Sequence, residues 1–406
     1  MNKKIIALAV ASLASGVAVA QTNVTMYGVV DTMYVYSQGK AGFNADGINV
    51  PGTNKFSGLA GGGGTAGNRL GFKGEEALGN GLKAVFTLEY GLNIDNNSGV
   101  GTSGLNARQQ FVGLAGNWGT LALGRQYAPA FDATANNDAL EATDLGIQSS
   151  LSVYSGSTIT PNSPARFNNA ITYTSPNWSG FTGKAIYGFG ESKIDNTYND
   201  NVNSASDNGR LGLGINYNNG PLNVDLVYQS RLQVTVPNCI GDDKFPECSA
   251  GSGVSPRTAP GGGKSVNEWY AGANYDFKVV KIYGSYQALD NNNKFLGFGL
   301  DEGSSIASSN IWTVGVSAPI GNGVFGLSYG KLSIDRRDNP DGDSWGWGAM
   351  YQYNLSKRTA LYGAYSYFSN DRYSVPVQAQ VAGDGVGVGA RGESNYALGA
   401  GIRHSF

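Results

Sequence analysis

The chain has 406 residues, of which 61 are glycine and only 14% are charged, and its formal net charge at pH 7 is −2. This length admits either a few ordinary domains or one large sheet structure. There is no excess of Lys and Arg for a nucleic-acid-binding surface, and after residue 20 no run of about 18 residues is continuously apolar, so nucleic-acid binding and a helical membrane protein are both excluded.

The first twenty residues, MNKKIIALAVASLASGVAVA, have the three parts of a secretory signal peptide. Lys3 and Lys4 form the basic start, an apolar stretch follows, and Ala18-Val19-Ala20 matches a cleavage site. The alternative, a retained anchor helix, is disfavoured because the apolar stretch is about half of the roughly 20 residues that spanning requires. We therefore expect export, with cleavage before Gln21. The exported part has 26 Lys and Arg against 30 Asp and Glu, a formal charge of −4.

The two cysteines, Cys239 and Cys248, lie in the turn-rich segment PNCIGDDKFPEC. An exported chain reaches an oxidising compartment, and neither thiol has another partner in the sequence, so we expect a local disulfide. A structural zinc site is disfavoured because two thiolates lack the further ligands that zinc needs. No metal and no cofactor is predicted.

The segment GLKAVFTLEY, residues 81–90, alternates between two kinds of side chain. Leu82, Phe86 and Leu88 lie in an apolar row, and Lys83 and Glu89 in the opposite, polar row. This is the period of a β-strand with two different environments. One face of the predicted strand contacts an apolar medium and the other contacts water.

The same alternation recurs in sixteen runs of about 9 to 14 residues, the length of a tilted strand that crosses a bilayer. The runs begin near residues 22, 66, 81, 106, 119, 166, 180, 208, 221, 266, 279, 308, 322, 343, 358 and 394. Short turns alternate with long polar loops, which lie at about 38–65, 94–105, 127–165, 191–207, 232–265, 289–307, 335–342 and 369–393.

An even strand number with this sorting of loop lengths is typical of outer-membrane barrels, whose periplasmic turns are short and whose external loops are long. The apolar row then faces lipid and the polar row a water-filled interior. About sixteen strands leave an aqueous channel, whereas about eight close around side chains. The alternative is a large secreted β-sandwich or propeller, which has no reason to sort its loops by length.

Three stretches resemble the general porins of Gram-negative bacteria, specifically the β-proteobacterial type. They are VTMYGVVDTMY at the mature start, the pair NRLGFKGEEALGNGLKAVFTLEYG and RQQFVGLAGNWGTLALGRQYAP, and the terminal strand YALGAGIRHSF. The resemblance covers residues 21–406. It implies an all-β fold, a 16-stranded antiparallel barrel that assembles as a homotrimer in the outer membrane, in contact with lipid and lipopolysaccharide. It also implies that Phe406 is the signal read by the barrel-assembly machinery.

The resemblance further implies that a third external loop, about 127–165, folds inward and narrows the pore. Its acidic residues are Asp132, Asp138, Glu141 and Asp144, and the basic residues expected on the facing wall are Arg69, Arg108, Arg166, Lys73 and Arg125. Strand alternation places Arg69 in the lumen, because Leu70 and Phe72 take the lipid row. It supports Arg108 less well, since its strand is apolar on both faces. Arg125 shares the row of Leu121 and Leu123 and faces the lumen only if a bulge intervenes.

Signals of enzymes are sparse. The run GGGKS at 261–265 resembles the end of a phosphate-binding loop, but Thr258 stands where the first glycine is required. The run AGGGGTAG near residue 60 lacks the strand and helix of a dinucleotide site, so we expect a flexible loop. His404 is the single histidine and belongs to no recognisable catalytic motif. We therefore predict no enzyme, with a barrel enzyme as the alternative.

The predicted function is passive diffusion of ions and small hydrophilic solutes through the pore. A substrate-specific channel for a sugar or phosphate is the alternative that the sequence leaves open. Fixed charges at a constriction determine which ion is stabilised there. The basic wall favours anions and the acidic loop favours cations, and the sequence leans only slightly toward anions.

Overall fold

The computed structural model describes residues 23–43, 48–95, 106–190, 209–232, 236–237, 258–259, 265–290, 306–336, 340–379 and 388–406. Cys239 and Cys248, the predicted signal peptide and most of the GGGKS run lie outside the described residues.

The described chain is dominated by antiparallel strands that are joined to their neighbours in sequence. The strands are β1 Asn23–Lys40, β2 Thr53–Ala60, β3 Arg69–Gly79, β4 Leu82–Gly91, β5 Ala107–Gly116, β6 Gly119–Tyr127, β7 Arg166–Thr174, β8 Phe181–Gly188, β9 Arg210–Asn219, β10 Leu222–Arg231, β11 Val236–Pro237, β12 Thr258–Ala259, β13 Val266–Asp276, β14 Lys281–Asp290, β15 Ile306–Ile320, β16 Gly323–Arg336, β17 Gly342–Asn354, β18 Thr359–Asn370 and β19 Ser394–Ser405. The helices are α1 Pro129–Asn136 and α2 Ile147–Tyr154, followed by a short 3₁₀ turn at Ser163–Ala165.

The sheet closes into a barrel with sixteen strand positions, as the sequence predicted. β19 pairs with β1, which joins the last strand to the first. One half of β1 pairs with β2 and the other half with β3, so these two short strands together fill one position. β11 and β12 form a separate two-stranded antiparallel sheet.

The seam of the barrel is completed by the terminal residue. The backbone N–H of Gly28 donates to the Phe406 carbonyl, and the Phe406 N–H donates back to Gly28, both at 3.1 Å. A Cβ at Gly28 would lie 2.4 Å from the Phe406 ring, so the ring packs directly over the glycine. No open edge remains at this seam, which hydrocarbon requires because it offers no hydrogen-bond partners.

The two faces of the strands follow the predicted alternation. Leu226 on β10 is 52% exposed on the outer surface, whereas Asn223 on the same strand is 7% exposed and lies in the polar interior row. Aromatic side chains of neighbouring strands contact one another on the outer face of the barrel. The ring centroids of Trp312 and Tyr329 are 5.4 Å apart and those of Tyr329 and Trp345 6.0 Å. Aromatic side chains of this kind are enriched at membrane interfaces.

Two predictions about the first loop were wrong. The segment 38–65 was expected to be a loop, but β1 continues to Lys40 and β2 begins at Thr53. Residues of these two strands pair with each other and so extend the ladder beyond the predicted strand ends. The glycine-rich run near residue 60 was expected to be flexible, but residues 61–68 form a turn with mostly buried residues inside the barrel. Side chains of the barrel wall hold this turn through hydrogen bonds.

The third loop lies inside the barrel, as predicted. α1 packs against β9, β10 and β13, and α2 packs against β15, β16 and β17. The apolar side chains Leu140, Leu145, Ile147 and Leu151 are buried against this wall. Gly330 permits the approach, since a Cβ there would lie 2.9 Å from Leu151. No helix among the described residues is long and apolar enough to cross a membrane.

Candidate functional site

A buried carboxylate, Glu89 on β4, organises the interior wall formed by β1 and β3 to β6. It is 5% exposed. Its Oε1 accepts hydrogen bonds from Arg108 Nε and from the Tyr127 hydroxyl, both at 2.8 Å. Its Oε2 accepts from the Tyr27 hydroxyl at 3.0 Å and lies 3.9 Å from Arg69 Nε. Charge-assisted bonds of this kind hold both partners in one geometry.

Arg166 joins this group through aromatic rings. Its guanidinium lies 5.6 Å from the Tyr127 ring centroid and 5.4 Å from that of Phe131. The two rings stack on each other at 3.8 Å, so α1, which contains Phe131, is tied to the arginines. We call Arg69, Arg108, Arg166 and Glu89 the arginine cluster. Its three arginines and one carboxylate carry a formal charge of +2.

Arg108 enters the cluster because of a β-bulge. Glu89 pairs with Gln109 and the next residue, Tyr90, pairs with Ala107, so Arg108 is an extra residue in β5. A bulge shifts the alternation of a strand by one residue, which turns Arg108 from the lipid row to the lumen. Strand alternation supported Arg108 only weakly because its strand is apolar on both faces, and no local pattern in the sequence indicates this bulge.

Lys73 and Arg125 occupy different surroundings. Lys73 lies in the interior row of β3, with its Nζ 5.4 Å from the Tyr27 ring centroid. Arg125 has a register irregularity beside it, but the extra residue belongs to β7, where two residues lie between Phe167 and Ala170. Arg125 keeps the row of Leu123, and it donates to the Ala107 carbonyl at 2.9 Å and to Asn168. Its Nη1 also lies 3.4 Å from the carbonyl of Arg166, so Arg125 borders the arginine cluster.

The acidic residues of the third loop are mostly engaged with nearby groups. Asp132 pairs with Lys184 at 3.0 Å, and Glu141 lies 3.9 Å from Arg403 on the wall. The carboxylate of Asp138 is buried and accepts hydrogen bonds from the N–H groups of Leu140 and Ala142, so it closes a turn of the loop. The backbone N–H of Asp144 donates to the Gly64 carbonyl.

The loop is fixed at its return limb by Glu268, a residue that sequence reasoning missed. Glu268 is completely buried on β13. Its carboxylate accepts from the hydroxyls of Ser157 and Thr158 and from the N–H groups of Thr158 and Ile159, at 2.6 to 3.2 Å. Arg231 lies 3.3 Å away. The only signal in the sequence is that Glu268 lies in the interior row of VNEWYAGANYDF. Many residues share such rows, so this position does not single out Glu268.

Sequence reasoning also missed Glu89 and Tyr127 as members of the site. Alternation put Glu89 on the polar row. Only the structure shows that Tyr27, Arg108 and Tyr127 reach it from other strands. Among the described residues, no group of three His, Cys, Asp or Glu side chains is arranged to hold a metal ion.

The comparisons with known proteins agree with this architecture. The model of the Gram-negative porin family matches residues 7–373. The chain belongs to the Gram-negative porin family. Its location is accordingly the outer membrane, and the barrel confirms the predicted fold.

Two curated relatives match the porin over nearly its full length. Outer membrane porin protein 32 of Delftia acidovorans is 33% identical over 413 aligned positions that cover 100% of both chains. An outer membrane porin protein of Bordetella pertussis is 30% identical and covers 95% of this chain and 99% of its own. The solved structure titled "Anion-selective porin from Comamonas acidovorans" is 30% identical, with a TM-score of 0.67, and covers 95% of this chain and 100% of its own.

The first prediction concerns the dependence of the arginine cluster on Glu89. Glu89→Gln removes the counter-charge of Arg108, whose side chain is only 10% exposed, so the free energy of unfolding should fall by about 3 kcal/mol. Urea unfolding of the porin in lipid vesicles measures this change. The control is Glu75→Gln, which breaks the exposed pair with Lys83 and should cost less than about 1 kcal/mol. Equal costs would contradict a buried, organising role for Glu89.

The second prediction concerns pH. Burial raises the pKa of Asp138 from its ordinary value of 3.8 to about 6, against the opposing effect of its two backbone hydrogen bonds. The folded protein therefore holds this proton more tightly than the unfolded chain does. The stabilisation is complete below about pH 4 and is lost as the pH rises through 6.

Asp138→Asn has no proton to lose at this position. Relative to this variant, the free energy of unfolding of the wild type should fall by about 2–3 kcal/mol between pH 4 and pH 7. Unfolding curves of the two proteins at a series of pH values give this difference, in which other titrating groups cancel. A difference that stays constant with pH would contradict the raised pKa.

Proposed function

We propose that this porin is a general diffusion channel for small hydrophilic solutes and ions, with a preference for anions set by the arginine cluster. The relatives are porins, which are channels rather than enzymes, and we propose a passive channel here as well. The observation that carries the ion preference is the concentration of Arg69, Arg108 and Arg166 around the single carboxylate of Glu89.

Local pairing determines which charges act on a permeating ion. Asp132 is paired with Lys184 and Glu141 lies beside Arg403, so two of the four loop carboxylates have a cation next to them. The arginine cluster retains its formal charge of +2. Charges on exposed external loops act weakly at the constriction because salt screens them over about 8–10 Å. A fixed positive excess in a narrow aqueous pore stabilises anions.

A homotrimer in the outer membrane is part of the proposal. The outer face of β5 and β6 is apolar and open, with Val112 60%, Leu114 43% and Leu123 56% exposed in a single barrel. This face can be covered by lipid, lipopolysaccharide or a neighbouring barrel, and the two apolar faces of β5 favour a neighbour. Phe406, 42% exposed at the end of the outer row, is available to the barrel-assembly machinery during insertion.

The third prediction tests the ion preference directly. Replacing both Arg69 and Arg166 by Gln reduces the formal charge of the cluster from +2 to 0, so the reversal potential across a planar bilayer in a salt gradient should move toward cation selectivity. The control is the double substitution of Lys357 and Arg358 by Gln, which removes two exposed cations at the short turn between β17 and β18, outside the cluster. A change of equal size in the control, or none in the cluster variant, would contradict the assignment.

A further inference from the structure

The turn formed by residues 61–68, here called the inner turn, lies in the lumen between β2 and β3. It is held by Asp31, a fully buried residue in the interior row of β1. Asp31 Oδ2 accepts from the Thr65 N–H at 2.8 Å, from the Thr65 hydroxyl at 2.7 Å and from the Ala66 N–H at 2.9 Å. Its Oδ1 accepts at 2.5 Å from the hydroxyl of Tyr362, which reaches over β19 from β18.

The inner turn has a second fixed point at Asn68. Asn68 Nδ2 donates to the Asp31 carbonyl at 2.8 Å, and Asn68 Oδ1 accepts from the Asp31 N–H at 2.5 Å. The carbonyl of Asn68 also accepts from the Leu92 N–H at 3.1 Å. A segment with this many buried hydrogen bonds is a rigid part of the wall, because opening it would leave buried polar groups without partners.

The inner turn reaches both sides of the constriction. At one end, its Gly64 carbonyl accepts from the Asp144 N–H of the third loop at 2.9 Å. Beside it, the Thr65 hydroxyl lies 3.4 Å from Arg403 Nη1, and Arg403 lies beside Glu141. At the other end, Gly67 lies against the arginine cluster, since a Cβ there would be 2.8 Å from Arg108 Nη1. The turn therefore bridges the acidic loop and the basic wall.

The glycines of the inner turn are explained by these contacts. Gly63 has φ +110°, a conformation that favours glycine. A Cβ at Gly64 would lie 2.1 Å from the Tyr362 hydroxyl, and one at Gly61 would lie 2.2 Å from Asp95 Oδ1. The run AGGGGTAG is thus the sequence of a backbone packed tightly against the wall.

We propose that the inner turn is a second constriction element, which together with the third loop sets the bore and the ion preference of the channel. Gly67 is its specificity-determining position, because a side chain there would lie directly against Arg108 Nη1 of the arginine cluster. Asp31 is the residue that positions the turn. The proposal deepens the anion-preferring channel proposed above and rests on it, although the position of the turn in the ion path can be tested independently.

The test compares Gly67→Asp with Gly67→Asn in planar bilayers. The two side chains have nearly the same size, and only Asp places a carboxylate against Arg108. Both variants should narrow the pore and lower the single-channel conductance. Gly67→Asp alone should lower the anion-to-cation permeability ratio, by about twofold or more, since it cancels one of the charges at the constriction. Identical permeability ratios in the two variants, or wild-type conductance in both, would overturn the proposal.

A second pair of variants covers the case in which residue 67 does not accept a side chain. Ala66 is half-buried in the turn and already has a Cβ, so Ala66→Lys and Ala66→Glu should fold. Their reversal potentials in a salt gradient should move in opposite directions from that of the wild type. Equal reversal potentials would place the turn outside the ion path and overturn the inference. A cation-selective wild type with oppositely shifted Ala66 variants would instead refute the anion preference while supporting the turn as a constriction element.

Discussion

The structure depends on the closure of a hydrogen-bonded ladder in a medium that offers no hydrogen-bond partners. In hydrocarbon, each unpaired backbone group costs several kcal/mol, so the sheet must join its last strand to its first. Here the pairing of β1 with β19 and the reciprocal bonds between Gly28 and Phe406 complete that ring. The closure at sixteen positions leaves an interior too wide for side chains to fill.

This wide interior is narrowed by backbone, and backbone inside a barrel needs partners of its own. Buried carboxylates supply them. Glu268 accepts from the return limb of the third loop, and Asp31 accepts from the inner turn. Asp225 also holds the third loop, because its carboxylate accepts from the side-chain amide of Asn137 at the end of α1. Each carboxylate lies in the interior row of its strand, so the alternation that makes the outside apolar also places these anchors.

The arginine cluster uses the same principle with charged partners. Glu89 holds Arg108 by a short bond and lies close to Arg69, while stacked aromatic rings hold Arg166. A single carboxylate thus orients more positive charge than it neutralises. Such an arrangement gives a permeating anion a preorganised environment, because the guanidinium groups do not need to reorganise when it arrives.

The sequence predicts the periodic part of this structure, and the family resemblance predicts the inward third loop, whereas several local features were missed. Alternation and loop length were enough for the barrel, for the outward position of Leu226 and for the inward position of Arg69. The bulge that turns Arg108 inward is one extra residue, which leaves no signature in an apolar strand. The inner turn was missed because glycine indicates both flexibility and close packing. The anchor at Glu268 joins residues 109 to 111 positions apart, and nothing local in the sequence indicates such a partner.

The most direct test of this account is the reversal potential of the wild-type porin across a bilayer that separates two concentrations of KCl. The account predicts a reversal potential whose sign shows that chloride is more permeant than potassium, because the constriction retains the net positive charge of the arginine cluster. The preference should weaken as the salt concentration rises, since screening shortens the reach of that charge. A reversal potential at low salt whose sign shows that potassium is more permeant than chloride would contradict the account. It would show that the loop carboxylates dominate the constriction.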